Sequence, residues 1–366
     1  MTQFTVNAKD LSDALGLLLT VAEPKGTIPV LAFTLLESKD NSLRLSATDI
    51  GRSVITKIVA GTDEPFSLCV PMKQFHDLAA LLQGDLKISQ HDKGLQVIAG
   101  KSRYVLPIME ADKFPMIDKA EGDEAIINGE LLASMLSAVL FAAGRNPNLE
   151  RWSRTLLIEA ANGKLSITAC NGPQLANTQT GFTGEFTAMI SHDSVKPLAS
   201  LASRSGDLAL GFNERFLTAR TETTFLGLQL SGDKWPDWKM LLKPSYAYSA
   251  EFEIQPLGLA LRRSVLTCDP ALSVKGVNFE LGKESVCLAA SGYDRGEGNE
   301  SVDIRCPSLN GDTVTTRLDG NMLLEALRTL KTGTALWQFG DGAVPRFTPK
   351  LEGAFSFQYL QNPLHL

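Results

Sequence analysis

Four histidines, five cysteines and scattered carboxylates are the side chains with which this chain could do metal, covalent or acid–base chemistry. Cys69, Cys170, Cys268, Cys287 and Cys306 form no CxxC pair, and none stands at a zinc-type spacing from His76, His91, His192 or His365. The cysteines lie mostly in apolar strand-like runs such as SLCV and ESVCLAA, so buried free thiols are expected and a metal site is not. His192-Asp193-Ser194 brings three triad residue types together as sequence neighbours, whereas a working triad is assembled in space from distant segments. The lysine of EPKGT lacks the upstream glycine spacing of a phosphate-binding loop, and GYDRGEG is a loose glycine loop without the required strand-turn-helix context. Asp10 and Asp13 share a polar helix face and read as solvated. No cofactor site and no catalytic constellation emerge, so a protein that is not an enzyme is expected.

With no reaction to position, the elements must serve binding. The 366 residues suit two or three domains, and 44% hydrophobic with 21% charged residues is the composition of a globular chain without low-complexity tracts. No segment approaches 18 uninterrupted apolar residues, and MTQFTVNAKD has neither a basic start nor an apolar run, which reads as cytoplasmic with no membrane partner. A net charge of -6 argues against wholesale coating of nucleic acid and leaves room for a local basic surface.

One pattern occurs three times. An apolar strand, a short turn and a second strand ending in small polar residues appear as VLAFTLLESKDNSLRLSATD, RTLLIEAANGKLSITACNG and VKGVNFELGKESVCLAASG. Asp49, Asn171 and Gly292 hold equivalent places, so the steps are 122 and 121 residues, the size of a domain. Amphipathic helices follow extended starts at Phe4, Ile126 and Phe252, and a second helix of each copy carries Leu78 and Leu81, Leu198 and Leu201, then Leu324 and Leu327. Asp112-Lys113-Phe114-Pro115 returns as Asp233-Lys234-Trp235-Pro236. Alternating runs such as GDLKISQHDKGLQVIAG and RFLTARTETTFLGLQL read as antiparallel hairpins. The expected fold class is α+β, with three domains at 1–120, 125–243 and 248–366 and breaks near 118–124 and 243–250.

TIPVLAFTLLE with LRLSATD, LSITACNGPQLA with WPDWKMLL, and the closing YLQNPLHL together resemble the bacterial DNA sliding clamp family, the beta subunit of the replicative DNA polymerase III, over the whole length. The resemblance implies domains of two β-α-β-β-β units each. It also implies a head-to-tail homodimeric ring with helices inside and sheets outside. Such a ring holds double-stranded DNA by topology, so weak, sequence-independent phosphate attraction suffices. Candidate DNA-facing residues are Lys25, Lys73, Arg145 and Lys196, followed by Arg204, Arg262, Arg328 and Lys331. Gln74, Ala80, His192 and Asp193 stand where family members often carry further basic residues, which predicts a less basic channel.

The resemblance also implies a groove that takes short linear peptides of the replicative polymerase, the clamp loader and repair proteins. Its matching positions are Ser153, Cys170, Gly172, Pro173, Gln174 and Leu175, then Pro236, Met240 and Leu241. Further along they are Val274, Asp319, Met322, Val344, Arg346, Leu360, Asn362, Pro363 and Leu364. The family's Gly-His-Arg-Leu reads Gly172-Pro173-Gln174-Leu175 here, and its Met-Pro-Met-Arg-Leu ending reads Asn362-Pro363-Leu364-His365-Leu366. Loss of the arginine at 174 is expected to weaken a standard peptide by one charge-assisted contact. A divergent or second-copy clamp-like scaffold with its own partners and little DNA role is the alternative. For the ring joint, the matching residues are Tyr104, Leu106, Val265 and Leu266, with Glu297 and Glu300 facing basic residues across it.

Overall fold

A computed structural model describes residues 3–22, 28–62, 65–117, 122–242, 245–330, 333–340, 342–350 and 353–365. Lys25 and Lys331 lie outside the described residues, as do parts of the expected breaks at 118–124 and 243–250.

The order of elements repeats three times. The first copy runs β1 (Gln3–Asn7), α1 (Ala8–Leu18), β2 (Phe33–Lys39), β3 (Ser42–Thr48), β4 (Arg52–Val59), the two-residue β5 (Gly61–Thr62), β6 (Phe66–Pro71), α2 (Met72–Leu81), β7 (Asp85–His91), β8 (Gly94–Ala99) and β9 (Ser102–Leu106). The second is β10 (Asp123–Asn128), α3 (Gly129–Val139), β11 (Thr155–Ala161), β12 (Lys164–Cys170), β13 (Gln174–Gly181), β14 (Phe186–Ser191), α4 (His192–Ala202), β15 (Asp207–Phe212), β16 (Phe216–Arg220) and β17 (Thr224–Gln229). The third is β18 (Tyr248–Glu253), α5 (Ile254–Leu266), β19 (Gly276–Leu281), β20 (Ser285–Gly292), β21 (Gly296–Arg305), β22 (Val314–Asp319), α6 (Gly320–Leu330), β23 (Thr334–Phe339), β24 (Arg346–Pro349) and β25 (Ser356–Gln361). Few helices and long antiparallel sheets make this an α+β fold.

Local chemistry accounts for the elements. Asp40-Asn41 and Asn162-Gly163 all take positive φ, which makes them two-residue hairpin turns whose twist matches the strands they join. Asn7 starts α1 by accepting from the Lys9 amide at 3.0 Å, and Asn128 does the same for Leu131 at the start of α3. Leu11, Leu15 and Leu18 give α1 one buried stripe, and it packs on α2; α5 packs likewise on α6.

The strands form a five-stranded sheet β5-β1-β7-β8-β9, an eight-stranded sheet β10-β15-β16-β17-β4-β3-β2-β6, and a twelve-stranded sheet β14-β11-β12-β13-β25-β24-β23-β18-β21-β20-β19-β22. The two larger sheets each cross a boundary between copies, at β4·β17 (Thr56↔Thr224) and at β13·β25 (Leu175↔Leu360). By proximity the chain therefore divides into two compact units, Met1–Ser134 with Asp193–Ser231 and Met135–His192 with Gly232–Leu366, and this division splits the middle copy. In the second unit Trp337 is fully buried, edge-on to Phe279 and tilted on Phe347. Four of the five cysteines are buried as expected, whereas Cys287 is exposed, because it falls on the outward parity of β20.

Candidate functional site

In the second unit, the seam between β13 and β25 carries an apolar cluster of Leu157, Cys170, Leu175, Met189, Trp238 and Leu360. Trp152, Trp235, Leu242 and Val344 pack on it partly exposed. Trp152 meets Trp235 edge-on with ring centres 5.7 Å apart, and the Trp235 indole N–H donates to Thr155 Oγ1 at 2.8 Å. Three of the chain's four tryptophans are thus in one place. The residue-by-residue resemblance missed them, although clustered tryptophan is the composition expected of a peptide-docking surface.

The expected groove positions separate into two sets. Met240, 79% exposed, is accessible together with Leu241, Pro236, Gly172, Pro173, Val274, Asn362 and Pro363. Met322, Val344, Arg346 and Leu364 are half-buried. Ser153, Cys170, Leu175, Leu360, Asp319 and Gln174 belong to the interior beneath them. Gly172 turns the chain between β12 and β13 at φ 101, a conformation that glycine takes without strain. Arg346 lies over the Tyr246 ring at 4.8 Å and donates through Nε to Gln338.

Gln174 departs from the sequence expectation. Its side chain is 4% exposed and turned inward, where Nε2 donates to the Phe141 carbonyl and Oε1 lies 3.0 Å from the Tyr359 hydroxyl. That hydroxyl is also 3.0 Å from Gln361 Oε1, and Gln361 Nε2 donates to the Asp319 carbonyl at 3.0 Å. Burial pushes the Tyr359 phenol well above its ordinary range. Position 174 therefore fastens β13 to β25. Asp319, at the start of α6, accepts the amides of Asn321 and Met322, yet burial is the larger influence and holds its carboxyl above the usual value. Burial likewise raises the Cys170 thiol.

The segment after β25 is tied on two sides. The Asn362 amide donates to the Pro173 carbonyl at 2.8 Å, and the Leu364 amide donates to Arg317 on β22 at 2.7 Å. Asn362 Nδ2 adds a 3.4 Å bond to the Gly172 carbonyl. It thus forms one wall beside the β12–β13 turn.

The joint candidates scatter. Tyr104 is exposed on β9, an edge strand whose residues Ser102 to Val105 are all exposed, and Leu266 is 72% exposed at the end of α5. Val265 is half-buried, while Leu106 is buried where β9 pairs with Leu95 of β8. Glu297 is exposed, but Glu300 is held bidentately by Arg263 of the same chain at 2.6 Å, which lowers the Glu300 carboxyl below its ordinary range. From Gly296 to Asp303, β21 pairs only with β20, so among the described residues its other edge is open.

The described basic candidates are all exposed. Lys73 is paired with Asp77, and Arg204 donates to the Asp13 carbonyl at 3.1 Å. Arg145 and Lys196 have no ion-pair partner among the described residues. Arg262 on α5 and Arg328 on α6 line one hollow of about 400 Å³. Among the described residues no group of three His, Cys, Asp or Glu side chains gathers to hold a metal, and no helix is long and apolar enough to cross a membrane.

Residues 2–118 match the family model described as DNA polymerase III beta subunit, N-terminal domain. The beta sliding clamp of Pseudomonas aeruginosa is 24% identical over 339 residues, covering 90% of each chain, and that of Streptomyces coelicolor is 25% identical over 361 residues, covering 92% of each. Among solved structures, the DNA polymerase III beta subunits of Pseudomonas aeruginosa and Thermotoga maritima superpose over 100% of both chains, with TM-scores of 0.91 and 0.92 at 21% and 20% identity. In sequence over about nine-tenths of its length, at low identity, and in fold over all of it, the chain is similar to bacterial beta sliding clamps.

Proposed function

We propose that this protein is a sliding clamp: two copies close head to tail around duplex DNA, and the ring tethers polymerase, loader and repair proteins through short peptides docked on the tryptophan-rich groove. The observation that carries the proposal is that, among the described residues, β9 in the first copy of the repeat and β21 in the third each leave an edge open. An open edge is a template for another strand. Two such edges in different copies of the repeat let β9 of one molecule lie along β21 of the next, with Tyr104 and Leu266 as apolar anchors. The three copies of the repeat act as three domains at 1–120, 125–243 and 248–366. Linkage retains the ring, so the protein has no catalytic activity of its own and works in the cytoplasm, where chromosomal DNA is. Once loaded, it stays on nicked circular DNA and leaves when that DNA is linearised; equal retention on both templates would refute the proposal.

Peptide docking rests on the accessible set. Met240→Ser with Leu241→Ser weakens a clamp-binding peptide about tenfold or more at unchanged melting temperature, since neither side chain belongs to the buried cluster. Pro236, Val274, Met322, Val344 and Arg346 form the remaining accessible or half-buried lining.

A second reading, a clamp-like scaffold that binds proteins only, has one observation in its favour. The six helices carry Lys9, Lys73, Lys196, Arg262, Arg263 and Arg328 against Asp10, Asp13, Asp77, Glu130, Asp193 and Glu325, a balance of zero. The same circular and linear templates separate the two readings, because a scaffold is retained on neither.

A further inference from the structure

The zero balance of the helices conceals an uneven distribution. Helices α1 to α4 hold three basic and five acidic residues, whereas α5 and α6 hold three basic and one acidic. The hollows beside these helices follow the same division. In the first unit a hollow of about 600 Å³ beside α1 is lined by Asp10, Asp13, Asp207 and Glu222, with Lys57 and Arg204 as its only cations. Arg204 there already donates to the Asp13 carbonyl. In the second unit the hollow between α5 and α6 has no carboxylate in its lining; its charged groups are Arg262 and Arg328, and its floor includes Leu259 and Leu324. Both arginines are exposed, and neither has an ion-pair partner among the described residues, whereas the neighbouring Arg263 is taken by Glu300.

From this we infer that the α5–α6 hollow is the protein's principal phosphate-binding site, and that duplex DNA is held electrostatically by the third copy of the repeat rather than evenly by all three. The inference rests on the clamp reading and deepens it. Two guanidinium groups over an apolar floor suit a phosphodiester. Arginine is weakly hydrated and binds phosphate through paired N–H donors. The carboxylate-lined hollow of the first unit repels the same ligand.

The test is the salt dependence of binding to a short duplex, read by fluorescence anisotropy on the full chain. Each phosphate contact contributes a slope of roughly -0.9 in log affinity against log salt, so Arg262→Ala with Arg328→Ala lowers the slope by about 1.8. Between 50 and 200 mM salt the wild-type protein then loses about tenfold more affinity than the double variant. Lys73→Ala with Lys196→Ala changes the slope by less than half as much. Arg262→Lys with Arg328→Lys keeps the wild-type slope and serves with circular dichroism as the control for folding. Equal slope losses in both alanine pairs, or none in the arginine pair, overturn the inference. Inorganic pyrophosphate that displaces the duplex at equal phosphate concentration would assign the hollow to small anions and also overturn it. Failure of the clamp reading appears separately, as wild-type protein that is not retained on circular DNA.

Discussion

Gln174 shows how a single residue can look like a ligand contact and act as a fastener. Because its amide is engaged by Phe141 and Tyr359, Gln174→Arg forces a charged guanidinium into a buried site whose hydrogen bonds are fitted to an amide. The expected outcome is a loss of about 2–4 kcal/mol of stability in urea unfolding, with no gain in peptide affinity. Tighter peptide binding at unchanged stability would show that the side chain swings out. Asp319 offers a pH test. Its folded pKa is raised by burial, so the stability it contributes is complete below the ordinary carboxylate value of 3.8 and is lost as pH rises through the folded value. Asparagine keeps the oxygen that accepts from Asn321 and Met322 but does not titrate. Asp319→Asn should therefore gain stability relative to wild type between pH 3.8 and neutrality; a relative loss over that interval would mean that the charged cap outweighs burial. Leu175 and Leu360, each 1% exposed, are poor probes of docking, because truncation there costs about 2–5 kcal/mol of core packing.

At the scale of elements, the segment after β25 is secured by backbone bonds to Pro173 and Arg317, so removing residues 362–366 uncovers the edge of β22 and removes one wall of the proposed groove together. Peptide docking should disappear in a direct titration while the helical circular dichroism persists; retained docking would place the site elsewhere. The hairpins are legible in the sequence, because Asn162-Gly163 and the alternation around it are local signals, and so is the period of the repeat. The seams are not. Nothing near Leu175 announces Leu360, and pairing across copies leaves no mark in either strand's own pattern. The same distance hides the partner of Glu300, which is Arg263 on α5 of its own chain, and the inward turn of Gln174, whose strand is buried on both faces. Leu106 falls on the buried end of β9 for a similar reason: its register with Leu95 is fixed by a neighbouring strand.

At the scale of the molecule, the proposed dimer depends on few apolar anchors. Leu266→Asp places a charge at the end of α5 where a stable joint needs dry contact, and the mass measured by analytical ultracentrifugation at micromolar concentration should fall to that of one chain. An unchanged mass would remove Leu266 from the joint. The seams have another consequence, which concerns the order in which the molecule comes into being. Thr56 and Thr224, which share a hydrogen bond across one seam, are 168 residues apart, and Gln174 and Tyr359 across the other are 185 apart. Hairpins such as β2–β3 close after two residues, whereas the seams wait for long stretches of chain and are the slow steps of folding. During synthesis each copy of the repeat can collapse as it leaves the ribosome, but β13 stays an unpaired edge until β25 has been made. The proposed docking groove is among the last features to exist, so a partner that recognises it would bind only chains whose second and third copies have already found each other.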